Sequence, residues 1–278
     1  MNIIRTAVLL TVFNRRETTL IGLKTLQKAI VRLGDGYAFD IFLVDDGSTD
    51  GTRQSVEQSF PDVKVYVSPG DLYWGGGMNM AWQKAVAMGQ YDYYLWYNDD
   101  SDLYEDALIT LYQVATECQD RCVVTGAFCD HQGQLSYGGG DENEHGIAPN
   151  GKPQPVKTMN GNLVLIPNSI YQTVGMIDSH YIHSFGDHDY GYRVQKQGND
   201  VLLTPRYVGV CDNHHDLPFK KEQSLSKRWR SLHSPKNRPS IGFRYLRTYK
   251  SWNIALRYLI SSYIYVFFPS LMPNSNKE

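Results

Sequence analysis

The stretch Tyr93-Tyr94-Leu95-Trp96-Tyr97 reads as a strand with aromatic or aliphatic side chains on both faces, and it stops abruptly at Asn98-Asp99-Asp100. A strand of that kind is covered on both sides, as in the parallel sheets of α/β folds. Carboxylates do not lie unpaired inside such a layer, because a buried lone charge costs several kcal/mol. They belong at the strand's exit, and the carboxyl ends of the strands are where open α/β sheets bind ligands. Paired hard oxygens at that edge suit Mg²⁺ or Mn²⁺ carrying a phosphate. The same residues also fit a plain turn in which Asp99 or Asp100 caps a helix beginning near Glu105.

The rest of the chain repeats the rhythm. Thr6 to Thr11 is a buried strand, and Phe13-Asn14-Arg15-Arg16-Glu17 turns into a helix ending near Leu33. Phe39 to Val44 is a second strand, closing on Asp45-Asp46-Gly47-Ser48-Thr49-Asp50-Gly51-Thr52, and Val63 to Val67 is a third, broken by Pro69-Gly70. Strand, polar turn, helix and strand in that order specify βαβ units and a parallel sheet. Gly75-Gly76-Gly77 stand ahead of a helix starting at Met78, where free N–H groups and bare backbone suit a phosphate. No GxGxxG follows the first strand, which argues against a dinucleotide-dependent oxidoreductase.

Glu105 to Cys118 follows as a helix and Cys122 to Phe128 as a strand. From His131 to Pro155 the composition shifts to Gly, Asn, Asp, Glu and Pro, which predicts a hairpin or a mobile lid. Met159 to Pro167 reads as a turn and strand, and Asn168 to Val174 as a helix stopped by Gly175. Tyr181 to Arg193, with Gly186-Asp187-His188-Asp189 inside it, is followed by a helix to Gln197 that Gly198 ends. Two short strands, Val201 to Leu203 and Val208 to Val210, lead to Cys211-Asp212-Asn213-His214-His215.

These elements divide the chain into a sheet domain, 1–219, and a helical extension, 220–278, rich in Lys, Arg, Trp and Tyr. Within the extension, Ile254 to Phe268 is largely apolar but falls short of the roughly 20 residues that span a bilayer. It suits peripheral contact with an anionic membrane, or equally a subdomain packed on the sheet with its charges solvated. The formal charge of −2 gives no reason to expect nucleic acid. Cys118, Cys122, Cys129 and Cys211 lack CxxC or zinc-finger spacing and are expected as buried free thiols. With Ala7 to Phe13 too short for a secretory signal, the expected location is the cytoplasm.

Taken together, five segments resemble the family 2 nucleotide-diphospho-sugar glycosyltransferases, and within them the rhamnosyltransferase-like enzymes of bacterial surface polysaccharide synthesis. They are Thr11-Val12-Phe13-Asn14-Arg15, Val44 to Thr52, Trp74 to Asn79, Asn98-Asp99-Asp100, and Phe185 to Arg193, in family order across about residues 5 to 215. The resemblance implies a GT-A fold, with a Rossmann-like, mostly parallel central sheet flanked by helices. It also implies an inverting transfer from a dTDP- or UDP-sugar to a glycan or lipid-linked acceptor at the inner membrane face.

The family pattern places Thr11, Phe13, Arg15, Asp46, Gly76, Asn79 and Asp99 around the nucleotide sugar, and Asp100 on Mn²⁺ or Mg²⁺, with His214 as a further ligand. Asn98 stands where the family's Asp-X-Asp has its first carboxylate. The base aligns with Asp187, ahead of a helix whose N-terminus favours negative charge, while Asp189 competes for the role and Gly186 replaces the family's Glu. Trp74, Trp96 and Tyr137 are candidate sugar platforms, with His183, His188 and Arg193 flanking the base. A noncatalytic sugar-nucleotide or glycan-binding module on the same fold is the alternative.

Overall fold

Ala7, Val8, Leu9 and Leu10 are all fully buried, which a strand achieves only with a layer on each face. In the computed structural model, which describes residues 3–213 and 218–272, they form the centre of β1 (Ile4–Val12). α1 (Arg16–Leu33) leads to β2 (Tyr37–Asp45), and α2 (Thr52–Ser59) to β3 (Lys64–Val67). α3 (Tyr73–Met88) then crosses the sheet to β4 (Tyr93–Tyr97) on the far side of β1. Strands β3, β2, β1 and β4 lie in that order, all parallel, so the chain reverses direction across the sheet between β1 and β4. That switch leaves a crevice beyond their carboxyl ends.

The remaining strands extend the sheet beyond β4, except for one pair that forms a separate two-stranded sheet. They include β5 (Asp102–Leu103), β6 (Cys122–Cys129) after α4 (Ala107–Glu117), and β7 (Leu135–Tyr137). β8 (Gly139–Gly140), β9 (Gln154–Pro155), β10 (Thr158–Met159) and β11 (Leu163–Pro167) follow, then α5 (Asn168–Val174), α6 (Gly186–Lys196) and β12 (Asp200–Val210). β11 runs antiparallel between β4 and β6, and β12 returns parallel to β6. Side-chain alternation sorts the core: Val8 and Leu10 meet α1, α2 and α4 on one face, while Ala7 and Leu9 meet α3, α5 and α6 on the other.

Three expectations are corrected here. Of the two readings of His131 to Pro155 the hairpin stands and the mobile lid is corrected, because β7 pairs antiparallel with β6, β8 with β10 and β9 with β12. The two short strands near the end of the domain are one, β12, whose register shifts around Thr204-Pro205-Arg206, as a proline within a sheet requires. Cys118 and Cys122 are joined as a disulfide, their Cα atoms 6.1 Å apart. The turn from α4 into β6 passes through Gln119 and Asp120, both at φ 56°, and this fold-back brings an x₃ spacing within bridging distance. Cys129 and Cys211 are buried free thiols.

The extension forms α7 (Leu225–Leu232), α8 (Pro239–Tyr249) and α9 (Trp252–Phe267). α8 is its strut onto the sheet domain: Tyr245 stacks on Phe185, and Tyr249 on Tyr192, at centroid distances of 4.5 and 4.4 Å. Lys250 pairs with Glu144 at 3.0 Å, and Arg244 with Asp178 at 3.2 Å. No helix among the described residues is long and apolar enough to cross a membrane.

Candidate functional site

The ends of β1, β2 and β4 meet at the switch point. Thr11, Phe13 and Arg15 arrive from β1, Asp46 from β2, and Asn98, Asp99 and Asp100 from β4, all lining one cleft of about 740 Å³. Gly70, Tyr73 and Trp74 line it from the β3–α3 segment, and Asn160, Gly161 and Asn162 of the β10–β11 turn line it together with Asp187, the Asn162 carbonyl accepting from Asn98 N–H at the end of β4. Asp46 is nearly buried and fixes that geometry: its carboxylate accepts from the Ser68 hydroxyl and from the backbone N–H groups of Leu72 and Tyr73, the latter two at 3.1 and 2.8 Å. It therefore caps the start of α3 and aims Tyr73 and Trp74 at the cleft.

Arg15 spans the two carboxylates of the β4 turn, 3.1 Å from Asp99 and 2.8 Å from Asp100. Asp99 is buried and also accepts from the Thr19 hydroxyl at 2.6 Å. Burial pushes its carboxyl up to about 6, against the pull of Arg15 and Thr19. Arg15 is itself partly buried, which lowers its affinity for the proton, yet Asp99 and Asp100 outweigh this and hold it above the usual arginine value. α1 comes this close because residue 22 is glycine: a Cβ there would sit 2.2 Å from the Asp99 carbonyl oxygen.

The donor set fits a hard divalent cation at one point. Asp100 Oδ1 is buried, lies at the cleft, and accepts no hydrogen bond among the described residues, leaving a carboxylate oxygen free to ligate. Asn98 does not supply a second carboxylate, and its amide oxygen accepts from the Trp74 indole at 2.8 Å. Among the described residues no cluster of three or more acidic, His or Cys side chains forms, and His214 lies outside those residues.

The two carboxylates at the start of α6 separate cleanly. Asp187 faces the cleft, its Oδ2 accepting from Gly161 N–H at 3.0 Å and its Oδ1 from His188 N–H at 2.9 Å. Asp189 is buried away from the cleft, paired with Arg193 at 2.8 Å and accepting from the Tyr249 hydroxyl at 2.6 Å. One is presented to a ligand, and the other ties α6 to α8.

The chain matches the family model described as glycosyl transferase family 2 over residues 7–166, more than half of its length. The chain belongs to glycosyl transferase family 2. Comparison with curated protein sequences finds no match. Among solved structures, this family 2 chain is similar to GalNAc-T7 with UDP, GalNAc and Mn²⁺, at TM-score 0.58 and 15% identity, over 83% of this chain and 48% of that one. It thus spans about half the length of GalNAc-T7. It is also similar to the mannosyltransferase PcManGT from Pyrobaculum calidifontis in complex with GDP-Man and Mn²⁺, at TM-score 0.54 and 12% identity, over 97% of this chain and 88% of that one. The fold of the family 2 chain is accordingly GT-A, with the helical extension added.

Several expected positions lie elsewhere in the family 2 chain. Gly76 and Asn79 do not reach the cleft. The three glycines sit inside α3, not ahead of it, and the N–H groups of Gly75 and Gly76 are taken by the carbonyls of Ile182 and Leu72. Their role is close approach: a Cβ at Gly75 would lie 1.9 Å from the Tyr181 carbonyl, and one at Gly77 would lie 2.1 Å from Thr11 Oγ1. Asn79 donates to the Ile177 carbonyl at 2.8 Å, bracing α3 against the loop before α6. Trp96 is core, packed edge-on to Trp74 and Trp82, so it offers no sugar platform. Arg193 holds Asp189 and the carbonyls of Val174 and Met176, and the His188 ring meets the Tyr245 hydroxyl.

Trp74, Tyr137 and His183 do line the cleft. Lining residues that escaped the sequence reading as site residues include Gly70, Tyr73, Asn160, Gly161, Asn162 and Lys236. The polar run Asn160-Gly161-Asn162 before a buried strand was the available signal, since polar groups flanking a core strand need partners.

Proposed function

We propose that the chain is an inverting glycosyltransferase that moves a sugar from a nucleotide-diphospho-sugar donor to a glycan or lipid-linked acceptor. The observation that carries this reading is the convergence of Arg15, Asp46, Asp99, Asp100 and Asp187 on a single cleft. The acceptor hydroxyl attacks the anomeric carbon as its proton passes to Asp187, and the bond from that carbon to the diphosphate oxygen breaks, releasing the nucleoside diphosphate. Attack opposite the leaving group inverts the anomeric centre. Asp187 is held for this role by backbone N–H groups of Gly161 and His188.

Asp46 and Thr11, which line the cleft, would hold the base and ribose of the donor, and the exposed Phe13 would offer a ring to cover the base. Arg15 offers a fork for phosphate oxygens. Asp100 would hold Mn²⁺ or Mg²⁺, with His214 as a further ligand, and the ion when bound offsets the charge on the diphosphate. Both structural neighbours are complexed with a nucleotide or nucleotide sugar and Mn²⁺, which supports a donor and metal of these classes. In its finer form the donor is a dTDP- or UDP-sugar, rhamnose is the sugar moved, and the product enters a bacterial surface polysaccharide. The chain works in the cytoplasm in peripheral contact with the inner membrane face.

Thermal unfolding in the presence of UDP, dTDP, GDP or CDP, with and without Mn²⁺, tests the donor site, because a ligand bound by the native state alone raises the midpoint. A Mn²⁺-dependent shift with one nucleotide is expected, and no shift with any of them sinks the reading. Asp187→Asn should retain that shift while turnover falls about 10²-fold or more.

A further inference from the structure

α9 turns one side inward and leaves another bare. Ala255 and Val266 are buried, and Tyr258 packs across Gly242 of α8. Trp252, Leu256, Ile260 and Ile264, spaced four residues apart and so stacked on one face, are 40–56% exposed. Phe267, Phe268 and Leu271 prolong this apolar surface at the end of the helix, each more than half exposed. Leu225 and Trp229 of α7 flank it across a groove shared with Phe267. Single exposed apolar side chains are ordinary, but a continuous stripe of this length marks an interaction surface.

Charge identifies the partner. Residues 220–272 hold eleven Lys and Arg against one acidic side chain, Glu222. Lys227, Arg230 and Arg257 are exposed within the two helices that carry the apolar surface. A second copy of the chain docking through the same face would bring two such basic modules together and be repelled. An anionic bilayer offers hydrocarbon for the stripe and headgroups for the cations in one surface. α9 has 16 residues, too short to span and long enough to lie flat.

We propose that the α7–α9 face docks on an anionic lipid bilayer, with α9 lying in the interfacial plane and its bare stripe entering the headgroup–acyl boundary. The inference deepens the peripheral-membrane part of the reading above and is independent of the transfer chemistry. The 3-10 turn Pro235–Asn237 joins this surface to the cleft, since Pro235 lines the α7–α9 groove and Lys236 lines the cleft. Docking therefore sets the cleft beside the bilayer, within reach of an acceptor held there.

Flotation of the full chain with vesicles tests the proposal, using phosphatidylglycerol and phosphatidylcholine in equal parts against phosphatidylcholine alone. Partitioning onto the anionic vesicles should be stronger by about tenfold or more and should weaken with salt. Ile260→Gln with Ile264→Gln should cost about tenfold, and Lys227→Gln with Arg230→Gln and Arg257→Gln should cost as much and flatten the salt dependence. These positions are exposed, so thermal midpoint and nucleotide-induced shift are expected to stay unchanged. Should a variant lose midpoint, quenching of wild-type tryptophan fluorescence by brominated anionic lipid gives the answer without substitution. Equal binding to both vesicle types, binding indifferent to the substitutions, absence of quenching, or a dimer dispersed by the Ile260 and Ile264 changes would each overturn the surface. If nucleotide shifts persist in that outcome, the donor site stands without it.

Discussion

Arg15 Nη2 lies 2.8 Å from Asp100 Oδ2, so the carboxylate assigned to a divalent cation already faces a cation of the protein itself. In the proposed function the guanidinium also takes a donor phosphate, which would draw it off the carboxylate. Arg15→Gln should therefore bind Mn²⁺ more tightly in the absence of nucleotide, by about three- to tenfold for a partly exposed pair. The same variant should bind nucleoside diphosphate more weakly. Calorimetric titrations with Mn²⁺ and then with the nucleotide read both effects, and weaker Mn²⁺ binding would show that Arg15 does not compete.

Asp99 makes native stability depend on pH in an unusual direction. Its carboxyl is pushed up to about 6 in the fold, whereas in an unfolded chain aspartate titrates near 3.9. Between about pH 4 and pH 6 the native state therefore holds more protons than the unfolded state, and this group's contribution falls as pH rises through that window. Relative to Asp99→Asn, the wild type should lose on the order of 2–3 kcal/mol between pH 4 and pH 7. Urea unfolding of the two proteins across that range measures the difference, and a wild type that instead gains on the variant as pH rises excludes the raised value.

The glycine triplet gives a graded test. Gly75→Ala and Gly77→Ala drive a methyl into the Tyr181 carbonyl and the Thr11 side chain, and each should cost about 1–3 kcal/mol or more. Gly76→Ala meets Leu72 Cβ at 3.2 Å, a milder contact partly offset by alanine's better helix propensity, and should change stability by less than about 1 kcal/mol. Chemical denaturation ranks the three. A phosphate-cradling role would appear differently, as loss of nucleotide binding in Gly76→Ala at unchanged stability.

Asp187 and Asp189 should part in opposite ways. Asp189→Asn weakens the pair with Arg193 and should lower stability by about 3 kcal/mol, with Tyr249→Phe costing about 1 kcal/mol. Both should keep turnover within a few-fold at permissive temperature. Asp187→Asn should keep its stability and lose turnover. A stable Asp189→Asn that is inactive would move the base two residues along the helix.

The sheet was legible because its strands carry their burial in their composition: runs such as Leu9-Leu10 and Tyr94-Leu95-Trp96 have no solvent face to offer. Acidic turns at strand ends located the cleft for the same reason, since Asp46, Asp99 and Asp100 had nowhere else to go. What escaped depends on three-dimensional approach. Gly75 and Gly77 read as a ligand loop, because a glycine spared for a ligand and one spared for Tyr181 or Thr11 look alike in one dimension. Asp187 and Asp189 differ only in which side of α6 meets Tyr249, a residue 60 positions away. The bond between Cys118 and Cys122 required two left-handed residues, Gln119 and Asp120, that no spacing rule encodes.

The overall charge of −2 conceals a lopsided molecule, since the basic surplus of residues 220–272 must be balanced by an acidic surplus in the remainder. Such a body carries a large electric dipole, and in the field of a negatively charged surface it feels a torque before any contact forms. It should arrive tail first. Low ionic strength should sharpen this pre-alignment and raise the landing rate, so that the asymmetry of the polypeptide would govern the approach as well as the proposed docking.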